Sequence, residues 1–110
     1  MSGGWITQAD RARWQLQAAR ELASILGGRD DLPLITWTVA SGGAVLEGKV
    51  NGPAPAGQVR ATLAAWREAL GLEDFREWPG GRGTVRSRAS GRRDSGVLVR
   101  ISAAFFEEER

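Results

Sequence analysis

Apolar positions recur every three or four residues from Gln8 to Leu26. Ala12, Leu16, Ala19, Ala23 and Leu26 form a stripe, widened by Leu22 and Ile25, which is helical spacing. Thr7 offers an N-cap with Asp10 three residues on, near the spacing of a capping box. Gly27-Gly28 then predicts a left-handed stop. The period changes after the connector Arg29–Pro33. From Leu34 to Ala40, Ile35, Trp37 and Val39 alternate with Thr36 and Thr38, as on a strand with one buried face. Ser41-Gly42-Gly43 reads as a tight turn. In the return strand, Ala44–Val50, Leu46, Gly48 and Val50 share one face, and Val45, Glu47 and Lys49 share the other. Gly48 is expected to leave room for a helix to lie close.

Asn51-Gly52-Pro53 breaks this strand, and Pro55 suits the first turn of a helix, where its missing N–H costs nothing. Val59, Leu63, Trp66 and Leu70 repeat at helical spacing, and Gly71-Leu72 matches a Schellman ending. Glu73–Gly81 reads as a connector holding Phe75, Trp78 and Pro79. Two strands follow, Thr84–Ser90 and Val97–Phe105, around a polar turn at Gly91–Ser95. Val97, Val99, Ile101, Ala103 and Phe105 alternate strictly in the last one.

The order α-β-β-α-β-β predicts one α+β domain over 1–110, with residues 1–6 as a loose N-terminus and 107–110 as an acidic tail. It is also a circular permutation of the ferredoxin-like β-α-β-β-α-β. In that arrangement the last strand lies centrally beside Ala44–Val50. Leu34–Ala40 and Thr84–Ser90 become the edges of a four-stranded, antiparallel-rich sheet, and both helices cover one face. The main alternative is a tandem αββ sheet with another strand order.

Composition then narrows the chemistry. The chain of 110 residues contains no His, Cys or Tyr. His-based acid–base catalysis, thiol nucleophiles and the common transition-metal sites therefore lack their residues. The carboxylates cluster in connectors and the tail, without calcium-loop spacing. Gly80-Gly81-Arg82-Gly83 lacks the lysine and the following helix of a phosphate loop. A non-enzymatic protein with no cofactor is expected. No apolar run reaches the ~18 residues of a membrane span, and no secretory leader precedes the first helix, so the expected location is the cytoplasm.

Net charge is only +2, so the placement of the charges matters more than their sum. Fourteen of the fifteen basic residues are Arg, and six of these lie between Arg82 and Ile101. Strand alternation sets Arg86, Arg88 and Arg100 on the face away from the helices, together with Lys49. Arg92 and Arg93 are expected to project from the turn. Val45 and Leu98 add apolar area to the same open face. No aromatic residue is expected there, which weakens the case for base stacking. Of Phe105 and Phe106, consecutive on a strand, one should be exposed.

The segment Leu32–Gly52, LPLITWTVASGGAVLEGKVNG, and the later AAWREALGL, Ala64–Leu72, resemble uncharacterised small proteins of Streptomyces and related actinobacteria. Those share a Leu-Pro-x-Ile-x-Trp segment followed by a Gly-Gly turn. The resemblance spans roughly Ala19 to Ile101 and implies no catalytic residues. Such proteins are often encoded near mobile-element or phage-like genes, which implies an accessory role on a protein or on DNA. Two functions follow from the residues. One is an interaction protein that associates with a protein partner or a second copy through its open sheet face. The other is a nucleic-acid-binding accessory protein. The surface in either case is Val45, Lys49, Arg86, Arg88, Arg92, Arg93, Leu98 and Arg100.

Overall fold

The fold is taken from a computed structural model that describes residues 6–40 and 44–107. Helix α1 spans Gln8–Leu26 and α2 spans Ala56–Leu70; the strands are β1 (Thr36–Val39), β2 (Val45–Lys49), β3 (Asp74–Gly81), β4 (Thr84–Arg92) and β5 (Leu98–Phe106). They form one mixed sheet in the order β1-β2-β5-β4-β3. Only β2 and β5 run parallel; every other neighbouring pair is antiparallel.

The α+β class and the central place of the last strand, beside the return strand of the first hairpin, agree with the sequence. The sheet has five strands, however, where four were expected, so the permuted ferredoxin-like arrangement is not matched in full. The added strand is β3, over the segment read as a connector. It pairs with β4 and turns the expected edge strand Thr84–Ser90 into an interior one. Pro79 hid it, since proline cannot donate to a ladder and is tolerated only at an edge or bulge. β3 supplies both: it is an edge, and its register shifts between Pro79 and Gly81. Arg82 (φ 56°) and Gly83 (φ 77°) both occupy the left-handed region, as a two-residue hairpin of the I′ type requires. The glycine run is thus a turn.

Helix α1 starts where its cap predicts. The Thr7 hydroxyl accepts from the Asp10 N–H at 3.0 Å, and the Asp10 carboxylate accepts from the Thr7 N–H at 3.1 Å. Those bonds hold the Asp10 carboxyl below its usual range, the Thr7 N–H first. Its end differs from expectation, because Gly27 is right-handed at φ −66°. Its buried face also differs. Ala18 and Ile25 are buried and Leu22 and Trp14 partly so, while Leu16, Leu26, Ala12, Ala19 and Ala23 stay exposed. Burial scales with apolar area, so a side carrying Trp, Leu and Ile outweighs a stripe that is mostly Ala.

Helix α2 ends as its sequence suggests. Gly71 is left-handed at φ 65°, its N–H donates to the Glu68 carbonyl, and the Leu72 N–H donates to the Arg67 carbonyl at 3.0 Å. Leu72 folds back and is buried, completing a Schellman motif.

The core lies between the helices and one sheet face: Leu46, Ala89, Val99, Ile101, Ala103 and Phe105 from the strands, Val59, Leu63, Trp66 and Leu70 from α2. Trp37 and Trp66 meet edge to face, with ring centroids 5.5 Å apart. The Trp66 indole N–H donates to the Pro33 carbonyl at 2.7 Å. Gly48 makes room for the side chains of Ile35, just before β1, and Trp37 of β1, not for a helix. A Cβ there would sit 2.8 Å from the Ile35 Cδ1 and 3.3 Å from the Trp37 ring.

Candidate binding face

The opposite sheet face carries no helix, and strand register arranges its side chains in rows. One row runs Thr36, Lys49, Ser102, Arg88, Arg76 across all five strands. The next, toward the β4–β5 turn, runs Thr38, Glu47, Arg100, Ser90, Asp74. Beyond it lie Val45, Leu98 and Arg92. On the other side of the first row come Ala104, Arg86 and Trp78, then Phe106 and Thr84.

Among the described residues this face holds six cations against two carboxylates, although the whole chain carries only +2. Both acids stand in a single row. Glu47 pairs with Arg100 at 3.5 Å, and Asp74 lies 3.8 Å from Arg76. Among the described residues, Lys49, Arg86 and Arg88 have no ion-pair partner. Among the described residues, Lys49, Arg86 and Arg88 therefore form a cationic band without an acid partner, with Arg76, paired to Asp74, at its edge.

Not every expected residue belongs to it. Arg86, Arg88 and Lys49 do. Val45 and Leu98 are paired neighbours on the open face, half-buried and at its far end. Arg100 is also on the face but is neutralised by Glu47. Arg92 ends β4, outside the turn where it was expected, and donates to the Gly96 carbonyl at 2.8 Å. Arg93 does not project from the turn. It folds to the helix side, where its Nε donates to Glu21 at 2.9 Å and a terminal nitrogen donates to the Leu70 carbonyl at 3.3 Å. The Ser95 hydroxyl donates to the other Glu21 oxygen at 2.7 Å. The Ser95 bond first, then the Arg93 bond and charge, hold the Glu21 carboxyl below its usual range despite partial burial. Arg93 thus clasps α1, α2 and the β4–β5 turn together. A turn arginine near a helical glutamate gives no signal of this in sequence.

Two aromatics stand on this face: the sequence left Trp78 in a connector and required only that one of Phe105 and Phe106 be exposed. Trp78 sits on β3 opposite Arg86, 39% exposed. The Arg88 guanidinium lies 5.9 Å from its ring centroid, within cation–π range. Trp78 could not be assigned to a face because its strand was read as a connector. Phe106 is 68% exposed while Phe105 is buried, as strand alternation demands.

On the covered side of β3, Glu77 accepts from the Ser87 hydroxyl at 2.8 Å and from Arg60 of α2 at 3.1 Å. Arg60 first, then Ser87, hold the Glu77 carboxyl below its usual range. Those bonds fasten β3 to α2 and so fix the strand that carries Trp78.

Among the described residues, no three of His, Cys, Asp or Glu come together as a metal site, and no helix is long and apolar enough to cross a membrane. In comparisons with protein-family models, curated proteins and solved structures, nothing matches the chain.

Proposed function

We propose that the protein is a non-enzymatic binding module that takes a nucleic-acid backbone on its open sheet face. One observation carries this: the band of Lys49, Arg86 and Arg88, without ion-pair partners among the described residues and flanked by Arg76, within a chain of low net charge. Such segregation concentrates positive potential where a polyanion can release its counterions. The resemblance to small actinobacterial proteins, with its implied accessory role on a protein or on DNA, agrees with this assignment.

Sheet-to-sheet association of two copies is the other function considered. The charge disfavours it. Two copies would bring six cations and two carboxylates against the same set, and facing like charges oppose association. Val45 and Leu98, half-buried already, offer little apolar area in return.

With about four phosphate contacts the logarithm of affinity for a single strand should fall against the logarithm of salt with a slope of about −3. Between 50 and 200 mM salt that is a loss of roughly 50-fold. Gel-shift titrations at those two concentrations test it, with Arg86→Glu/Arg88→Glu as the control. A salt-independent shift, or one unchanged by the charge reversal, refutes it.

A further inference from the structure

Charge alone does not distinguish a duplex from a single strand. The aromatics do. From Trp78 and Phe106 on the cationic band, and resting on the function proposed above, we infer that the ligand is a single strand whose bases stack on these two rings. Both rings are exposed on the same sheet face, Trp78 at one edge and Phe106 on the central strand. Arg86 stands between them in register, facing Trp78 on one side and Ala104 on the other.

Their spacing follows from the register. They are two strands apart and one facing row apart, which is roughly 12 Å from strand spacing and rise. Stacked nucleotides of one strand rise ~3.4 Å each, so the span covers a few nucleotides. Bases can reach both rings only when they are unpaired and splayed. In a duplex they are stacked inside, with their faces closed to protein side chains. A flat cationic sheet also matches the groove of a duplex poorly, since such grooves admit a helix or a two-stranded ribbon.

The surroundings of each ring suit a stacking role. The Arg88 guanidinium lies 5.9 Å from the Trp78 centroid on the same open face, a cation–π contact that favours one orientation of the ring. Phe106 lines a cleft with Pro53, Pro55, Thr84 and Ala104, whose one carboxylate among the described residues, Glu107, is paired with Arg60 at 3.2 Å; the cleft gives a base a seat beside the ring. Stacking of this kind tolerates any base, because every base has a π face. Arg86, Arg88, Arg76 and Lys49 then lie where the phosphates of the same strand run.

The test uses fluorescence anisotropy at low salt with three labelled probes: a twelve-nucleotide thymidine strand, an abasic strand of the same length and charge, and a blunt twelve-base-pair duplex. The thymidine strand should bind at least tenfold more tightly than either of the others. Trp78→Ala should lower its affinity about tenfold and leave the abasic strand unchanged, while Trp78→Phe retains most of the binding. Phe106→Ala should act in the same direction. If both alanine variants bind thymidine as the wild type does, or the duplex binds as tightly as the strand, the inference falls and the phosphate-binding face stands. If Arg86→Glu also changes nothing, or no probe binds, both fall. Trp78→Phe keeps an aromatic on the same strand and serves if the alanine variant melts early.

Discussion

Arg93 and Arg86 sit seven residues apart on one hairpin, yet Arg93 folds to the helix side of the sheet and Arg86 stands on the open face. Arg93→Ala removes the central member of the clasp with Glu21, Ser95 and the Leu70 carbonyl. The Arg93 and Glu21 side chains keep only 24% and 12% of their surface exposed. An exposed pair is worth at most about 1 kcal/mol, whereas removing one partner of a fully buried pair costs about 3–5 kcal/mol. This pair lies between those limits, so a loss of about 2 kcal/mol is expected. For a domain of this size that is roughly 8 °C in Tm, read by circular dichroism. Glu21 adds a pH signature. Its folded pKa is lowered, first by Ser95 and also by Arg93, so its stabilisation is complete above the ordinary carboxylate range. It is lost as pH falls through the folded value, and the gap between wild type and Arg93→Ala should narrow on acidification. Arg93→Ala should leave the affinity for nucleic acid unchanged. Arg86→Ala should do the reverse: unaltered Tm, weaker binding, and a salt slope shallower by about 0.7. If Arg93→Ala melts within 2 °C of wild type, or weakens binding as Arg86→Ala does, the division of roles is refuted.

Two further outcomes bear on the core. Gly48→Ala should destabilise by about 1–2 kcal/mol, since a Cβ 2.8 Å from Ile35 and 3.3 Å from Trp37 overpacks the site; a melt equal to wild type would contradict this. The two core tryptophans should differ under substitution by Phe. Trp66 donates to Pro33, whereas the buried Trp37 indole N–H has no acceptor among the described residues. Trp66→Phe should therefore cost about 1 kcal/mol more than Trp37→Phe, as chemical denaturation will show.

The sequence showed most of the covered side of the molecule and less of the open one. Strict alternation in Val97–Phe105 announced a strand with a deep face, and Val97, Val99, Ile101, Ala103 and Phe105 are all buried. The Thr7–Asp10 box and the Gly71-Leu72 ending were legible because capping is local chemistry. The burial of α1 was not, because Trp14, Ala18 and Ile25 define a face only once a sheet lies beneath it. β3 was hidden by Pro79 and by a pattern without buried positions, all eight of its residues being exposed. With β3 went the placement of Trp78 on the open face. The role of Arg93 depends on a contact with Glu21, 72 residues away in sequence, which no local pattern reports.

The position of β5 governs when this protein can exist at all. It lies between β2 and β4 and is the last described strand to leave the ribosome. Until it emerges, the αββ segment and the β3–β4 hairpin have no strand in common, and one edge of β2 and one of β4 stay open. Unpaired edges of this kind recruit other chains. Joining Val45 to Leu98 in parallel register also requires closing a long loop, a slow step compared with forming hairpins. Glu47 and Lys49 on the waiting β2 edge, and Arg86 and Arg88 on β4, keep those edges charged meanwhile. The arginines of the open face in the finished sheet thus also guard an incomplete one during synthesis.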